Sequence, residues 1–264
     1  MTEERKKAIC RRFSKAAATY DEYALVQKES AARLATCLPE QFSAARILEI
    51  GCGTGNFTAQ LAARFPQASL TALDFSEAMV EQAAKKCREY GVSFLSEDGE
   101  QYLAENKQQF DLIASNATMQ WFDDLPTAFS HVARSLAPGG IFLASLFGPS
   151  SLHELAAALA GVFAESPRLP AAQFPDREKI LELAQARFHR VEIDETVYRR
   201  MYLSLQDLFR HISKTGTGGY HPSMPRLTRG RLKRLEEWFR NHGDFELSYQ
   251  VFFLTAASPG EDKK

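Results

Sequence analysis

The sequence predicts an α/β protein built on a mostly parallel, doubly wound sheet of seven strands, a Rossmann-like architecture. Three observations lead to this fold class. Short aliphatic runs alternate with amphipathic segments between residues 46 and 147, a glycine-rich turn follows the first run, and two further β-rich runs occur near the end of the chain. Alternation of this kind is typical of parallel sheets covered by helices on both faces.

The first five strands are predicted from short apolar or β-branched runs. The turn Pro138-Gly139-Gly140 is expected to stop a helix and to release the fifth strand. Two later runs complete the sheet. The predicted strands are 46–50, 69–74, 92–95, 110–115, 140–147, 189–198 and 245–256.

Helical spacing of apolar residues fills the intervals between the strands. Residues 1–40 are expected to form a helical lid over a ligand pocket, and 149–187 and 203–243 are expected to be helical insertions near that pocket. The sequence predicts a single domain over 1–256, followed by a polar tail at 258–264. The predicted helices are 3–18, 24–38, 56–65, 77–90, 99–106, 125–136, 150–164, 177–187, 204–214 and 228–240.

The composition argues against several classes of protein. With 32 basic and 33 acidic residues among 264, the net charge is −1, and no overall field favours nucleic acid or a membrane surface. No segment approaches the roughly 20 apolar residues of a membrane span, and the amino terminus lacks the apolar core of a signal peptide. The four cysteines and six histidines show no metal-ligand spacing. We therefore expect a cytoplasmic protein that binds no metal, nucleic acid or membrane.

The segment 46–55, Arg-Ile-Leu-Glu-Ile-Gly-Cys-Gly-Thr-Gly, carries the strongest functional signal. Its alternating glycines permit a tight turn and bring a ligand close to main-chain amides at the start of the next helix. A dinucleotide fingerprint fits less well, because Asn56 stands where that motif needs a third small residue. The pattern resembles the first motif of class I S-adenosylmethionine (SAM) methyltransferases. The residues of this motif expected at the cofactor are Glu49, Gly51, Gly53, Thr54 and Gly55.

Residues at the ends of the next strands complete the expected cofactor site. Asp74, which ends the second strand, can accept both hydroxyl hydrogens of a ribose. Asp98 follows the third strand and is expected to accept from the adenine amino group, while Gly99 lets the base approach. Asn116 ends the fourth strand at the edge where ligands bind in open α/β sheets. The alternative for Asp74 and Asn116 is helix capping, and for Asp98-Gly99 it is a plain turn. Core packing is the alternative for the apolar residues. The apolar residues expected beside the adenine are Phe75 and Met79.

A closer resemblance covers nearly the whole chain, from about residue 9 to residue 256. The segments Phe13-Ser-Lys-Ala-Ala-Ala-Thr-Tyr20-Asp21 and Ser115-Asn-Ala-Thr-Met-Gln-Trp121 are similar to those of the malonyl-acyl carrier protein O-methyltransferase (BioC) family of biotin synthesis. The resemblance implies a seven-strand methyltransferase sheet, SAM as methyl donor, and the carboxylate of a malonyl thioester as acceptor. Further similar stretches are 145–148, 152–155, 208–210 and 227–229.

The implied chemistry needs positioning groups and no general base. A carboxylic acid with a pKa of roughly 4 is ionised at neutral pH, so it can attack a sulfonium methyl group directly. The resemblance implies that Tyr20 reaches the cofactor from the lid, and Trp121 and Arg210 are also expected to position the substrate. Ser213 stands where the family has a lysine, which leaves Lys214 a weaker candidate. The remaining weaker candidates are Arg199 and Arg200.

The expected partner is an acyl carrier protein that carries malonyl, or malonyl-CoA in its place. Because such a carrier is acidic, a basic surface should receive it. The densest basic run of the chain lies in and just before the last predicted helix, although a solvated helix face would explain that run as well. Its members are Arg226, Arg229, Arg231, Lys233, Arg234 and Arg240.

The sequence leaves three other functions open. A carboxyl methyltransferase of the aconitate type, which acts on a free small acid, would share the fold and the pocket. A non-catalytic SAM-binding assembly or regulatory protein is disfavoured by the complete set of cofactor residues. A nucleotide-dependent oxidoreductase is disfavoured by Asn56 and by the lack of a recognisable acid for a hydride site.

Overall fold

The computed structural model describes residues 3–163, 168–216 and 227–260. Within these ranges one sheet of seven strands forms the centre of the molecule, and each strand overlaps a predicted one. The strands are β1 (Arg46–Ile50), β2 (Ser69–Asp74), β3 (Ser93–Ser96), β4 (Phe110–Asn116), β5 (Leu136–Phe147), β6 (Arg190–Met201) and β7 (Glu246–Ala257).

The strand order is β3-β2-β1-β4-β5-β7-β6. Strands β1 to β5 are parallel, whereas β7 is antiparallel to both β5 and β6. The direction of winding reverses between β1 and β4, which is where open α/β sheets bind ligands. Because parallel strands end at one edge, Ile50, Asp74 and Asn116 lie together there. The mostly parallel, doubly wound sheet predicted from the sequence is confirmed.

Helices cover both faces of the sheet and extend past its carboxyl edge. None of the described helices is long and apolar enough to span a bilayer. The helices are α1 (Glu3–Ala16), α2 (Tyr20–Tyr23), α3 (Leu25–Thr36), α4 (Asn56–Arg64), α5 (Glu77–Lys86), α6 (Gly99–Glu105), α7 (Leu125–Ser135), α8 (His153–Val162), α9 (Arg177–Gln185), α10 (Leu205–Lys214) and α11 (Arg229–Asn241).

Short polar side chains mark where several of these helices begin. Each accepts a hydrogen bond from a free main-chain N–H of the first turn, and the loss of such a cap costs about 1 kcal/mol. The capping residues are Ser76, Asp98, Asp124, Asp176, Ser204 and Thr228.

Three clusters of buried apolar residues hold the layers together. One lies between a sheet face and α3, α4 and α5, with Leu34 and Leu61 at its centre. The second lies between the opposite face and α6, α7 and α9, and it contains Phe129. The third joins α8, α10 and α11 to the start of β7 through Leu208 and Leu247. The helices after β5 thus have a core of their own next to the carboxyl edge of the sheet.

The lid differs from the prediction of two uninterrupted helices. The helix predicted for 3–18 ends at Ala16 and continues as the 3-10 turn Ala17–Thr19 before α2 begins. Ala24 then separates α2 from α3 with a non-helical backbone (φ −80°, ψ 49°). Two changes of direction within a few residues fold the lid over the edge of the sheet.

The fifth strand begins earlier than the predicted residue 140. Leu136 already pairs with Phe110, and the register then shifts before Ile141 pairs with Leu112. Gly139 adopts a left-handed backbone with φ of 73°, which glycine adopts without a steric cost. The Pro138-Gly139-Gly140 turn is therefore an irregularity inside β5, because its flanking residues pair with β4 on both sides.

The start of the predicted polar tail is hydrogen-bonded to this irregularity. Ser258 Oγ donates to the carbonyl of Ala137 at 2.6 Å, and the N–H of Gly139 donates to the carbonyl of Pro259 at 2.9 Å. Ser258 and Pro259 are thus held against the sheet. The rest of the tail, 261–264, and the insertion segments 164–167 and 217–226 lie outside the described residues.

Candidate functional site

A pocket lies at the carboxyl edge of the sheet, beneath the lid. The turn after β1, the ends of β2, β3 and β4, and the lid helices form its walls. Most residues predicted for the cofactor and two predicted for the substrate line it. They are Tyr20, Glu49, Gly51, Gly53, Thr54, Asp74, Phe75, Met79, Asp98, Gly99, Asn116 and Trp121.

The three glycines of the turn after β1 have left-handed backbones, with φ of 75° at Gly51, 52° at Gly53 and 83° at Gly55. A Cβ atom on Gly53 would meet nothing within 4 Å, so the pocket reaches the main chain there. A Cβ on Gly55 would lie 3.0 Å from the Cα of Ala83 in α5. Gly55 lies outside the pocket lining, and its lack of a side chain serves helix packing.

Glu49 ends in the pocket with only 1% of its surface exposed. Its Oε2 atom is buried and has no hydrogen-bond partner among the described residues. Burial raises the pKa of this carboxyl to about 8. A buried, unpartnered carboxylate oxygen is costly unless a ligand pairs with it. This atom fits a cationic group, such as the amino group at the methionine end of SAM.

Asp74 holds the turn after β1 against the end of β2. Its Oδ2 accepts from the N–H of Gly53 at 3.0 Å and its Oδ1 from the N–H of Ser76 at 2.9 Å. Burial raises the pKa of Asp74 to about 6. The side chain of Ser76 caps α5 by accepting from Met79 N. Asp74 is therefore not needed as a cap, and each oxygen keeps acceptor capacity toward the pocket.

Asp98 makes the contacts expected of a helix cap. Its Oδ1 accepts from the N–H of Glu100 at 2.8 Å, and its Oδ2 lies 2.7 Å from Nζ of Lys6 in the lid. Lys6 also approaches Oε2 of Glu100 at 2.6 Å. Nothing in the run Arg5-Lys6-Lys7 indicates which side chain turns inward, so sequence reasoning missed Lys6. The expected contact of Asp98 with adenine stays a prediction.

Asn116 joins the lid to the sheet. Its Oδ1 accepts from Oγ of Ser30 at 2.9 Å and from Oγ of Ser145 at 2.7 Å, and its Nδ2 donates to the carbonyl of Gln27 at 3.1 Å. These bonds connect α3 with β4 and β5. The amide expected to meet the ligand is thus already occupied by protein groups, and it fixes the position of α3 over the pocket.

Asp21 of α2 ties the lid to the glycine turn. Its Oδ1 accepts from Oγ1 of Thr54 at 2.6 Å and from Nδ2 of Asn56 at 2.8 Å, while its Oδ2 lies 2.6 Å from Nζ of Lys86. The hydroxyl of Thr54 therefore donates its hydrogen to Asp21 of the lid. The neighbouring Tyr20 lies in the pocket lining, and burial raises the pKa of its phenol, so the hydroxyl stays a hydrogen-bond donor.

Trp121 belongs to an aromatic wall at one end of the pocket. Its ring lies edge-on to Phe13 of the lid, with a centroid distance of 6.0 Å, and edge-on to Phe174 at 5.1 Å. Phe13 is also 6.4 Å from Tyr20 and 6.3 Å from Phe75. The lid, the loop after β4 and the first insertion thus meet at Trp121, which excludes water from this end of the pocket.

The four basic side chains predicted to hold the substrate lie outside the pocket lining. Arg210 on α10 is 57% exposed and is 3.5 Å from Oδ1 of Asp207. Arg200 on β6 is ion-paired with Glu29 of α3. Neighbouring residues of a strand point to opposite faces, so Arg199 points away from α3. Lys214 ends α10. The structure does not bring these cations into the pocket.

The burial of Glu49 and Asp74 predicts a pH-dependent stability. Both carboxyls have raised pKa values in the folded protein, so between about pH 5 and pH 8 the folded state binds more protons than the unfolded state. The contribution of the two protonated carboxyls to the free energy of unfolding is complete at low pH and is lost as the pH rises. We expect the ligand-free protein to lose about 3–4 kcal/mol of unfolding free energy from pH 5.5 to pH 8.

Urea unfolding at a series of pH values measures this loss, and Glu49→Gln is the informative variant. The variant should lose less than half as much stability over the same range, because its amide does not titrate. An equal loss in both proteins would show that Glu49 does not cause it.

Comparisons with known proteins agree with this geometry. A family model for a methyltransferase domain matches residues 47–140. A malonyl-[acyl-carrier protein] O-methyltransferase from Bacillus cytotoxicus is 32% identical, over 97% of this chain and 93% of that protein. A second one, from Ilyobacter polytropus, is 33% identical over 90% of each chain. Among solved structures, the YcgJ protein of Bacillus subtilis aligns with a TM-score of 0.61 and 17% identity, over 88% of this chain and 98% of that one.

The strand order, the glycine turn and the methyltransferase-domain match define a class I SAM-dependent methyltransferase. The relatives extend this assignment from the sheet to the lid and the insertions, since they align over nearly their full lengths. The chain belongs to the malonyl-[acyl-carrier protein] O-methyltransferase family.

Proposed function

We propose that the protein transfers the methyl group of SAM to the free carboxylate of a malonyl thioester on acyl carrier protein. The product is the methyl ester with which pimeloyl synthesis for biotin starts. One observation carries the proposal: the kinship with malonyl-[acyl-carrier protein] O-methyltransferases covers the lid and the insertions as well as the sheet. The lid lines the pocket, and Phe174 of the first insertion packs against Trp121 in the pocket wall.

The charge of the pocket supports SAM as the donor. The acidic residues of its lining are opposed there by one described cation, Lys6, which is itself paired with two of them. SAM carries an ammonium and a sulfonium, both cationic, whereas the pyrophosphate of a dinucleotide would be repelled. Glu49 suits the ammonium and Asp74 suits the ribose hydroxyls. The acidic residues are Glu49, Asp74, Glu97, Asp98 and Glu100.

The reaction requires positioning and a dry site. Bound SAM supplies a methyl group activated by its sulfonium. A carboxylate oxygen forms the new O–C bond while the C–S bond breaks and sulfur keeps the electron pair, so no proton moves. Trp121 and Phe13 exclude water from the aromatic end of the pocket, and Tyr20 offers a neutral donor there. A dry site favours charge-neutralising transfer, because water no longer stabilises the separated ions.

An acceptor comparison with labelled SAM tests the proposed function. The panel contains malonyl carrier protein, malonyl-CoA and free dicarboxylic acids that include aconitate. We expect label in a base-labile ester of the malonyl thioesters, with the highest kcat/KM for the carrier protein. Labelling of a free acid alone would assign the protein to the aconitate-type alternative.

We also propose that the carrier docks on the exposed face of α11. Leu235 and Phe239 of this helix are buried in the third core, which leaves the basic side chains outside. Arg231 packs over the ring of Phe163 at 5.0 Å, and Lys233 is 3.7 Å from Glu237. Arg226 lies outside the described residues. The exposed side chains best suited to a test are Arg229 and Arg234.

Charge reversal at Arg229 and Arg234 is expected to raise the KM for malonyl carrier protein by about tenfold, since each lost ion pair at an interface rim weakens association. The KM for malonyl-CoA and the affinity for SAM should not change, because neither involves the carrier surface. Lys107→Glu, in the exposed loop before β4 at the opposite edge of the sheet, is the control. A carrier KM within twofold of the unaltered value would refute the docking surface.

A further inference from the structure

The acceptor carboxylate needs a hydrogen-bond donor, and the pocket provides no free cation among its described lining residues. Lys6 is held by Asp98 and Glu100 at the end of the pocket where the adenine is expected. Arg200 and Arg210 lie outside the lining and are paired with carboxylates of their own. The donors that remain in the lining are neutral.

Gln27 is such a donor. It lines the pocket from α3 with 8% of its surface exposed, and its side-chain amide has no hydrogen bond to any other described residue. Only its main chain is engaged, through the carbonyl that accepts from Nδ2 of Asn116 at 3.1 Å. The residue is largely buried, but its amide is not among the buried polar atoms without a partner, so the amide keeps its accessible surface toward the pocket. An amide that faces a cavity and has no protein partner is a candidate ligand contact.

The hydrogen bond from Asn116 places Gln27 at the end of β4. Trp121 follows Asn116 by five residues and ends the 3-10 turn Met119–Trp121. Tyr20 lines the same pocket one short helix earlier in the lid. Gln27 thus lies at the β4 end of the lining, whereas Lys6 is bound to Asp98 after β3, and two strands, β2 and β1, lie between these positions.

We propose that the side-chain amide of Gln27 donates a hydrogen bond to the malonyl carboxylate and holds it for methyl transfer. This inference rests on the proposed function. It gives Gln27 a substrate-binding role, and it gives Asn116 a positioning role, since the hydrogen bond from Asn116 fixes the main chain that carries the amide.

A neutral donor suits this reaction better than a guanidinium. An arginine would stabilise the carboxylate most strongly in the ground state, where its charge is complete, and would weaken the nucleophile. An amide orients the carboxylate without neutralising it, and the sulfonium of bound SAM supplies the positive charge. An acyl group that lacks the terminal carboxylate leaves the amide unpaired. Gln27 therefore also selects malonyl over acetyl.

The test compares Gln27→Met and Gln27→Glu with the unaltered protein. Methionine keeps the length of the side chain and removes the donor, whereas glutamate keeps the shape and adds a charge that repels the acceptor. We expect kcat/KM for malonyl carrier protein to fall about 10- to 100-fold in Gln27→Met and further in Gln27→Glu. The preference for malonyl-CoA over acetyl-CoA as a competitive ligand should also fall in Gln27→Met.

The controls separate this role from a structural one. Gln185→Met, at the exposed end of α9, removes an amide far from the pocket and should leave the kinetics unchanged. The SAM dissociation constant and the melting temperature of Gln27→Met should stay close to those of the unaltered protein. Unchanged malonyl kinetics in Gln27→Met, or a parallel loss of SAM affinity, would overturn the assignment. Failure of the unaltered protein to methylate any malonyl thioester would instead overturn the proposed function.

Discussion

Replacing Asp74 by alanine is expected to weaken SAM binding by about 100-fold or more. Asp74 would accept the two ribose hydroxyl hydrogens, and each hydrogen bond to a charged group contributes about 1.5–3 kcal/mol. The same carboxylate accepts from the main chain of Gly53 and Ser76. Its loss leaves two N–H groups without this partner and loosens the turn that would support the methionine end of SAM.

Isothermal titration of SAM into the two proteins measures this effect. Asp98→Ala is the matched comparison, because Asp98 ends the neighbouring strand while its oxygens are bound to Lys6 and to the main chain of Glu100. We expect the Asp98 variant to lose much less SAM affinity than the Asp74 variant. Equal affinities of the Asp74 variant and the unaltered protein would refute the ribose assignment.

Gly51→Ala is expected to destabilise the fold by about 2–5 kcal/mol. The new Cβ would lie 2.2 Å from the side chain of Thr118, and the backbone φ of 75° is unfavourable for alanine. The conformational cost is about 1–2 kcal/mol, and forcing an extra methyl group into a packed site adds about 1–3 kcal/mol. Thr118 follows the end of β4, so the clash would separate β4 from the glycine turn.

Substitutions at two other glycines separate the conformational cost from the cost of the close contact with Thr118. Gly91→Ala, with φ of 65° and nothing within 4 Å of the new Cβ, should show the conformational cost alone. Gly53→Ala, with open pocket in front of it, should show a similar cost together with weaker SAM binding. Urea unfolding gives the free energy of unfolding of each of the three variants. If Gly51→Ala were no less stable than Gly91→Ala, the close contact with Thr118 would be contradicted.

The sheet and the pocket floor could be predicted because they depend on local patterns. Short apolar runs and glycine turns specify β1 to β5, and parallel strands bring Glu49, Asp74 and Asn116 to one edge whatever the rest of the chain does. The order of helices and strands along the chain after β5 also matches the prediction, whereas the antiparallel direction of β7 and its place between β5 and β6 were not predicted.

The lid contacts could not be predicted, because they join residues that are distant in sequence. Lys6 reaches Asp98, Asp21 reaches Thr54, and Asn116 bonds to the main chain of Gln27. No local pattern indicates which side chains of a lid helix face the sheet. The lid contacts of Asp98 and Asn116 could not be predicted for the same reason, since the sequence around each residue does not contain its lid partner.

The predicted substrate cations illustrate a second difficulty. Arg200 and Arg210 are polar residues on elements beside the pocket, and the charge of the acceptor makes a cation plausible there. The structure pairs Arg200 with Glu29 and Arg210 with Asp207. Glu29 lies on the lid helix α3, and Asp207 lies one turn before Arg210 on α10. Whether an arginine is free therefore depends on how the elements pack.

The central claim, transfer of a methyl group to a malonyl thioester on acyl carrier protein, is tested most directly by intact-mass spectrometry of the carrier. Malonyl carrier protein is incubated with SAM and the purified protein, and the acyl group is then released and fragmented. We expect the mass gain of one methyl group in place of hydrogen, located on the terminal carboxylate of malonyl and absent without SAM. An unchanged carrier mass while SAM is bound, or methylation at another position, would contradict the account.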